Sequence, residues 1–209
     1  MIDMHRETVD FGGVQIAFDE RVLRPRDWTQ NQSLWAAELL PALPEGDVLE
    51  LCSGAGQIGL LAIAGSERRL VCVDVNPVAA EYTKVNARMA GLEDRVKMRE
   101  GLIKEVLAPE EKFPLIIADP PWVRRSETRR FPEDPLLAID GGDDGLSVVR
   151  QCVAAIAAHL AERGIALLQL GPGDQVEAVS GLLSKTRLVA GETREFGDSG
   201  VLLRIDHHT

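Results

Sequence analysis

DVLELCSGAGQIG, residues 47–59, passes from a short apolar run through an acid and a loop of small residues into a second apolar run. DVLELCS (47–53) has the length of a strand, and GQIGLLAIAG (56–65) has helical apolar spacing. Glycines at 54 and 56 let the backbone pass close to a ligand, where a Cβ would intrude. With Gly59 the stretch also matches G-x-G-x-x-G over 54–59. A tight strand-to-helix turn explains such glycines about as well as a ligand loop does, so the flanking chain has to choose between them.

The flanking chain alternates. RLVCVDV (69–75), RVKMRE (95–100), FPLIIAD (113–119) and IALLQLG (165–171) predict strands. PVAAEYTKVNARMAGL (77–92), GLSVVRQCVAAIAAHLAERG (145–164) and DQVEAVSGLLSK (174–185) predict helices. The tail RLVAGETREFGDSGVLLRID (187–206) supplies two last strands, an antiparallel pair at one edge. Strand, helix, strand, helix means parallel βαβ units. The expected fold is α/β and Rossmann-like: a seven-stranded, mostly parallel sheet with a C-terminal antiparallel hairpin and helices on both faces. ETVDFGGVQIAFDERVLRPRD (7–27) alternates around Gly-Gly and predicts a small β-hairpin ahead of this core. Residues 1–30 are thus the hairpin and entry segment and 31–209 the main domain, within one globular unit. Trp35, with Leu34, Leu39 and Leu40, is expected to pack a helix on the sheet.

The 209 residues suffice for one domain with a proper core. Hydrophobic residues at 45% and charged residues at 27% fit a soluble globular protein. No apolar run approaches the roughly 20 residues of a membrane helix. MIDMHRETVDFGG lacks the apolar core of a signal peptide, so a cytoplasmic protein with no membrane association is expected. A net charge of −10 disfavours binding to a nucleic-acid backbone, although RVLRPR (21–26) and VRRSETRR (123–130) are locally basic. Cys52, Cys72 and Cys152 are widely spaced. His5, His159, His207 and His208 form no ligand set with them, and neither a disulfide framework nor a metal site is expected. Cys72 reads as a small buried hydrophobe on a strand.

Asp74 lies at the carboxyl edge of the second strand, beside the glycine loop. A carboxylate there is placed to accept both hydroxyls of a ribose. The competing role, capping the helix that begins at Pro77, suits Asn76. A dinucleotide would bring pyrophosphate to the loop, and Glu50 would repel it. An acid at that point suits a ligand with an ammonium and a sulfonium. In its order of acid, small-residue stretch and G-x-G, the sequence resembles class I methyltransferases, whose cofactor is S-adenosylmethionine. The resemblance implies that Glu50 lies near the methionine end and that Cys52, Ser53, Gly54, Ala55 and Gly56 wrap the cofactor. It implies that Asp74, with Val75 beside it, takes the ribose. Leu102 stands where the family often places an acid near the adenine.

IIADPPWV (116–123) ends the fourth strand, and the resemblance implies that this end lies beside the transferred methyl group. An amide or exocyclic amine nitrogen is hard to methylate because its lone pair is delocalised. Acceptors set against its N–H groups orient the nitrogen and draw the lone pair toward the methyl carbon. Asp119 supplies one acceptor and the Pro120 carbonyl another. Pro121 stiffens the backbone, and Trp122 can lie flat on a planar substrate. This signature specifies a planar nitrogen better than it specifies the molecule that carries it.

Three further stretches, RVLRPRDWT (21–29), PEDPLLAIDGGDDGLSVVRQ (132–151) and LLQLGPGDQ (167–175), extend the likeness. They resemble the HemK/PrmC family of protein-glutamine N5-methyltransferases, over roughly residues 20 to 185. The Gly-Gly-x-Asp-Gly-Leu element is the most specific of them. The resemblance implies a protein substrate, and Trp28, next to the threonine-bearing segment with Thr29, is a candidate to line the substrate mouth. DPPW replaces the family's NPPY. An ionised aspartate only accepts and can also help remove a proton, which moves the site toward nucleobase amino-methyltransferases. No helical substrate-gripping domain is expected ahead of the core. Short relatives without one work with a small zinc-binding protein, so a small activator is among the partners to test. Nucleobase amines of RNA or DNA and small molecules are the alternative acceptors, and an intact DPPW argues against a catalytically dead partner subunit. Arg26 is expected to pair with Asp27 or another nearby carboxylate. Asp143 and Asp144 are expected to form a turn and cap the next helix, and 123–135 is the candidate lid.

Overall fold

Small turn residues separate the apolar runs, and the chain folds back at each of them. In the computed structural model, which describes residues 6–208, the first hairpin is β1 (Glu7–Phe11) and β2 (Val14–Phe18), followed by α1 (Gln30–Leu39). Residues 1–5, His5 among them, and Thr209 lie outside the described residues. The alternating part runs β3 (Val48–Leu51), α2 (Gln57–Ile63), β4 (Leu70–Asp74), α3 (Pro77–Met89), β5 (Val96–Glu100) and a short α4 (Ile103–Val106). It continues with β6 (Phe113–Ala118), a 3-10 helix at Arg125–Arg130, a short α5 (Leu136–Ile139), α6 (Ser147–His159) and β7 (Leu160–Leu170). The chain closes with α7 (Gln175–Leu183), β8 (Leu188–Glu195) and β9 (Val201–His207).

The main sheet has the order β5-β4-β3-β6-β7-β9-β8. The first five strands are parallel, and β9 runs antiparallel to both β7 and β8. Strands β3 and β6 are buried along their whole length, as expected where helices cover both faces. Successive side chains go to opposite faces. Val48, Leu115 and Ile117 pack with Trp35, Ile58 and Tyr82. Leu49, Ile116 and Ala118 pack with Val149, Ile156 and Val179. The hairpin belongs to the first of these cores through Phe11, Val14, Ile16 and Ala17. Asn86 of α3 pins it: the amide oxygen accepts from Ala17 N–H at 2.8 Å, and the amide nitrogen donates to the carbonyls of Ala17 and Ala55 at 2.9 Å each.

Several expectations change. The helix predicted over 145–164 stops at His159, and Leu160 to Gly164 begin β7. Leu160 pairs with Phe113 of β6, and this pairing outweighs the helical spacing. Trp35 is in the core at 1% exposure, but Leu34 is 57% exposed, and α1 turns Gln32 and Ser33 inward instead. Asp143 and Asp144 sit in the turn, yet α6 has Leu146 as its cap residue and no side-chain cap. Asp144 accepts from Leu146 N–H at 3.0 Å and pairs with Arg150, and Asp143 pairs with Arg125. Arg26 pairs with a carboxylate as expected, and of the alternatives it takes not Asp27 but Asp134, both of whose oxygens it binds, at 2.5 and 2.7 Å. Asn76 caps α3, accepting from Val78 N–H at 3.0 Å.

Candidate active site

Strand order reverses between β3 and β6, and this is where an open α/β sheet leaves a crevice at its carboxyl edge. Leu51 pairs with Ala118, so Cys52 and Asp119 leave the sheet side by side. The loop after β3 is held in left-handed backbone at Cys52 (φ 57), Gly54 (φ 53) and Gly56 (φ 81). Asp74 organises it. One carboxylate oxygen accepts from Gly54 N–H at 2.8 Å and the other from Asn76 N–H at 2.8 Å. Burial holds the Asp74 carboxyl above its ordinary pKa, against the pull of these hydrogen bonds.

Glu50 is placed differently from the expectation. It shares the α2-facing side of β3 with Val48 and is 2% exposed. It accepts from Gly59 N–H at 3.0 Å and from the Cys72 thiol at 3.4 Å. A Cβ at position 59 would run into this carboxyl and into Leu70. The third glycine therefore serves helix–sheet packing, and Glu50 braces the loop from below without lining the cleft. Burial pushes its pKa up to about 8.

The cleft has two ends. Asp74, Val75, Gly101, Leu102 and Ile103 form one; Cys52, Gly54, Gln57, Asp119 and Pro121 form the other. Leu23 and Leu137 also line it. No Lys, Arg or His side chain lines it among the described residues. Ser53, Ala55 and Gly56 complete the loop behind the lining.

At the DPPW corner the Asp119 carboxyl has no hydrogen-bond partner among the described residues, and burial raises its pKa to about 7. No described donor reaches the Pro120 carbonyl either. The Trp122 carbonyl accepts from Gln175 Nε2 at 2.9 Å, and Gln175 Oε1 accepts from Gly171 N–H at 2.8 Å. The indole of Trp122 lies against Gly171. Gly145 (φ 75) packs on the other side, where a Cβ would lie 2.5 Å from the Trp122 carbonyl oxygen. Val123 N–H donates to Ile139 O at 3.1 Å and Gly141 N–H to Val123 O at 2.8 Å. The Gly-Gly-x-Asp-Gly-Leu element is therefore the brace of the corner.

The remaining expected residues lie outside the cleft lining. Trp122 is half-buried behind Pro121. Thr29 is buried, its hydroxyl donating to the Arg26 carbonyl at 2.8 Å. Trp28 is half-buried, its carbonyl accepting from Asn31 at 2.7 Å. Three glutamines escaped the sequence analysis: Gln57 in the cleft, Gln175 at the corner, and Gln32. The Gln32 amide donates to the carbonyls of Ala118 and Leu167 at 3.1 Å each, directly before Asp119. The available signal was a neutral polar residue at a sheet-facing helical position, which apolar spacing passes over.

Among solved structures, the hMettl16 catalytic domain in complex with MAT2A 3′UTR hairpin 6 shares the fold at TM-score 0.72 and 15% identity, over 94% of this chain and 77% of that one. So does the ribosomal protein L11 methylase of Lactobacillus delbrueckii subsp. bulgaricus, at TM-score 0.67 and 14% identity, over 91% and 84%. A family model described as RMKL-like, methyltransferase domain, matches residues 58–134. Fold and motifs together define a class I methyltransferase, an enzyme class that uses S-adenosylmethionine. The release factor glutamine methyltransferase of Clostridium acetobutylicum is 30% identical over 90% of this chain and 68% of its own length. That of Deinococcus radiodurans is 34% identical over 78% and 59%. The ribosomal protein uL3 glutamine methyltransferase of Bordetella pertussis is 32% identical over 76% and 55%. The chain belongs to this HemK-like family of glutamine methyltransferases, and it spans between about half and two thirds of the length of these relatives.

Proposed function

We propose that this protein transfers a methyl group from S-adenosylmethionine to the side-chain amide nitrogen of a glutamine in a protein. The observation that carries this is the unpartnered Asp119 carboxyl next to the unclaimed Pro120 carbonyl, two acceptors at the end of β6 with nothing among the described residues to satisfy them. The relatives named above act on glutamine in release factor and in ribosomal protein uL3, which supports a protein acceptor and a cytoplasmic location. No described helix is long and apolar enough to cross a membrane.

The cleft suits the cofactor. Two carboxylates and no basic side chain favour a cationic ligand, and the left-handed loop permits close backbone approach. Asp74 would hold the ribose hydroxyls. Val75, Leu102 and Ile103 would give the base an apolar seat, in place of the acid that class I enzymes often carry there. The loop from Cys52 to Gly56 would follow the amino-acid end. The bound cofactor supplies an electrophilic methyl on a sulfonium. The chain's own task is to orient the acceptor: Asp119 and the Pro120 carbonyl each accept one N–H of the amide, and Pro121 keeps the two acceptors in register. As the nitrogen takes the methyl, one of its protons passes to the Asp119 carboxylate. Trp122 and Trp28, both half-buried, are proposed to frame the substrate, and Thr29 to fix the segment that carries Trp28. Residues up to 30 act as an entry segment that brings Leu23 to the mouth of the 31–209 domain.

The test is to incubate the protein with methyl-labelled S-adenosylmethionine and a cell extract separated into protein, RNA and small-molecule fractions. Label in a protein, mapped to glutamine and lost in Asp119→Ala, is expected. Label confined to RNA or to small molecules would overturn the glutamine assignment. A partner needed for transfer, such as a small activator protein, would show as activity lost when the extract is depleted of it.

A further inference from the structure

The described part of the molecule holds few polar groups left without a partner. Buried side-chain atoms in that state belong to Gln32, Ser33, Gln57, Arg99 and Gln169. Of these residues only Gln57 lines the cofactor cleft. It is 8% exposed, its amide oxygen is buried without a partner, and its amide nitrogen makes no hydrogen bond among the described residues. Leaving a buried polar atom unsatisfied costs about 1–3 kcal/mol, which is tolerable where a ligand completes the bond.

The rest of the cleft shows which bond is missing. Its charged side chains are Asp74 and Asp119, and neither donates when ionised. Three of the loop's own amides are already engaged: Ser53 N–H with the Val73 carbonyl at 3.1 Å, Gly54 N–H with Asp74 at 2.8 Å, and Gly56 N–H with the Ser53 carbonyl at 2.8 Å. Of the other two side-chain amides in the lining, Asn76 donates to the Arg21 carbonyl at 3.1 Å and accepts from Val78 N–H at 3.0 Å, and Gln151 donates to the Ser147 carbonyl at 3.5 Å. A ligand whose ends are a cation and a carboxylate therefore finds acceptors in plenty for the first and few donors for the second. The Gln57 amide is the side-chain donor in the lining that is left uncommitted. It hangs over the glycine loop, its oxygen 3.9 Å from where a Cβ on Gly54 would be. An amide presents its NH₂ after a half-turn of the terminal torsion.

We infer that Gln57 binds the α-carboxylate of the cofactor's amino-acid end, and so selects ligands that carry that end over adenosine thioethers that lack it. This rests on the cofactor placement proposed above. The test is calorimetric binding of S-adenosylmethionine, S-adenosylhomocysteine and 5′-methylthioadenosine to wild type, Gln57→Ala and the near-isosteric Gln57→Met, with thermal midpoints to show that each variant is folded. The expected result is a loss of roughly tenfold or more for the first two ligands in both variants, with 5′-methylthioadenosine unchanged within about twofold. Equal weakening of all three ligands, or of none, would overturn the role of Gln57. Wild type that binds none of the three would bring down the cofactor placement itself, a different and recognisable failure.

Discussion

Burial without a partner makes Asp119 a proton-sensitive group near neutrality, with its carboxyl raised to about 7. Ionised, it is both the stronger acceptor and the available base. Methyl transfer by wild type should rise through about pH 7 and level off above it, and Asp119→Asn should lose that inflection. A rate profile of the variant with the same inflection would count against this. Stability moves the other way. The folded pKa lies above the ordinary value of 3.8, so the carboxyl's favourable contribution is complete below that value and is lost as pH rises through about 7. Asp119→Asn should therefore raise the thermal midpoint relative to wild type at about pH 8.5 and leave it unchanged at about pH 3.5. Gly59 offers a purely steric counterpart. Gly59→Ala pushes a methyl group against Glu50 and Leu70, and urea unfolding should show a loss of about 1–3 kcal/mol.

The DPPW corner works as an element because other elements hold it. Gln175, at the start of α7, satisfies the Trp122 carbonyl and the Gly171 amide together. Gln175→Leu leaves both groups wanting, at about 1–3 kcal/mol for each that stays buried. The loop after β3, proposed above to hold the cofactor, is not touched by this change. Single-turnover rates should fall at least tenfold while S-adenosylmethionine affinity, by calorimetry, stays within about twofold. A parallel loss of affinity would mean that the corner and the loop are not independent. The boundary between α6 and β7 follows the same logic of one element imposed by another. Residues 160–164 keep helical spacing, yet Leu160 gains a strand partner in Phe113 and is 5% exposed there.

Across the whole molecule, the entry segment is clasped to the segment that follows DPPW. Arg26 and Asp134 are 108 residues apart in sequence, and the Asp134 side chain is only 8% exposed in the pair. Leu23 and Leu137, from the same two segments, both line the cleft. Arg26→Ala should speed amide hydrogen exchange over residues 131–140 and leave the exchange of β3 and β6 unchanged. Unchanged exchange throughout would show that the clasp restrains nothing.

Alternation of short apolar runs with helical spacing was enough to read the sheet, its mainly parallel sense and its antiparallel edge, because strand and helix periods differ and each is imposed locally. Order and type of residue likewise marked the loop at 52–56, Asp74 and Asp119 as a group, since the ends of parallel strands in such a sheet collect at one edge. The direction in which each side chain leaves the backbone was not legible. Glu50 reads as a ligand-facing acid, yet strand alternation turns it under α2 toward Gly59. Gln57, Gln175 and Gln32 read as ordinary helix residues, and each acquires its place from segments distant in sequence. Hydrogen-bond partners and burial depend on contacts between such distant segments, so no local pattern encodes them, and packing alone assigned the acceptors, the brace and the unpartnered amide.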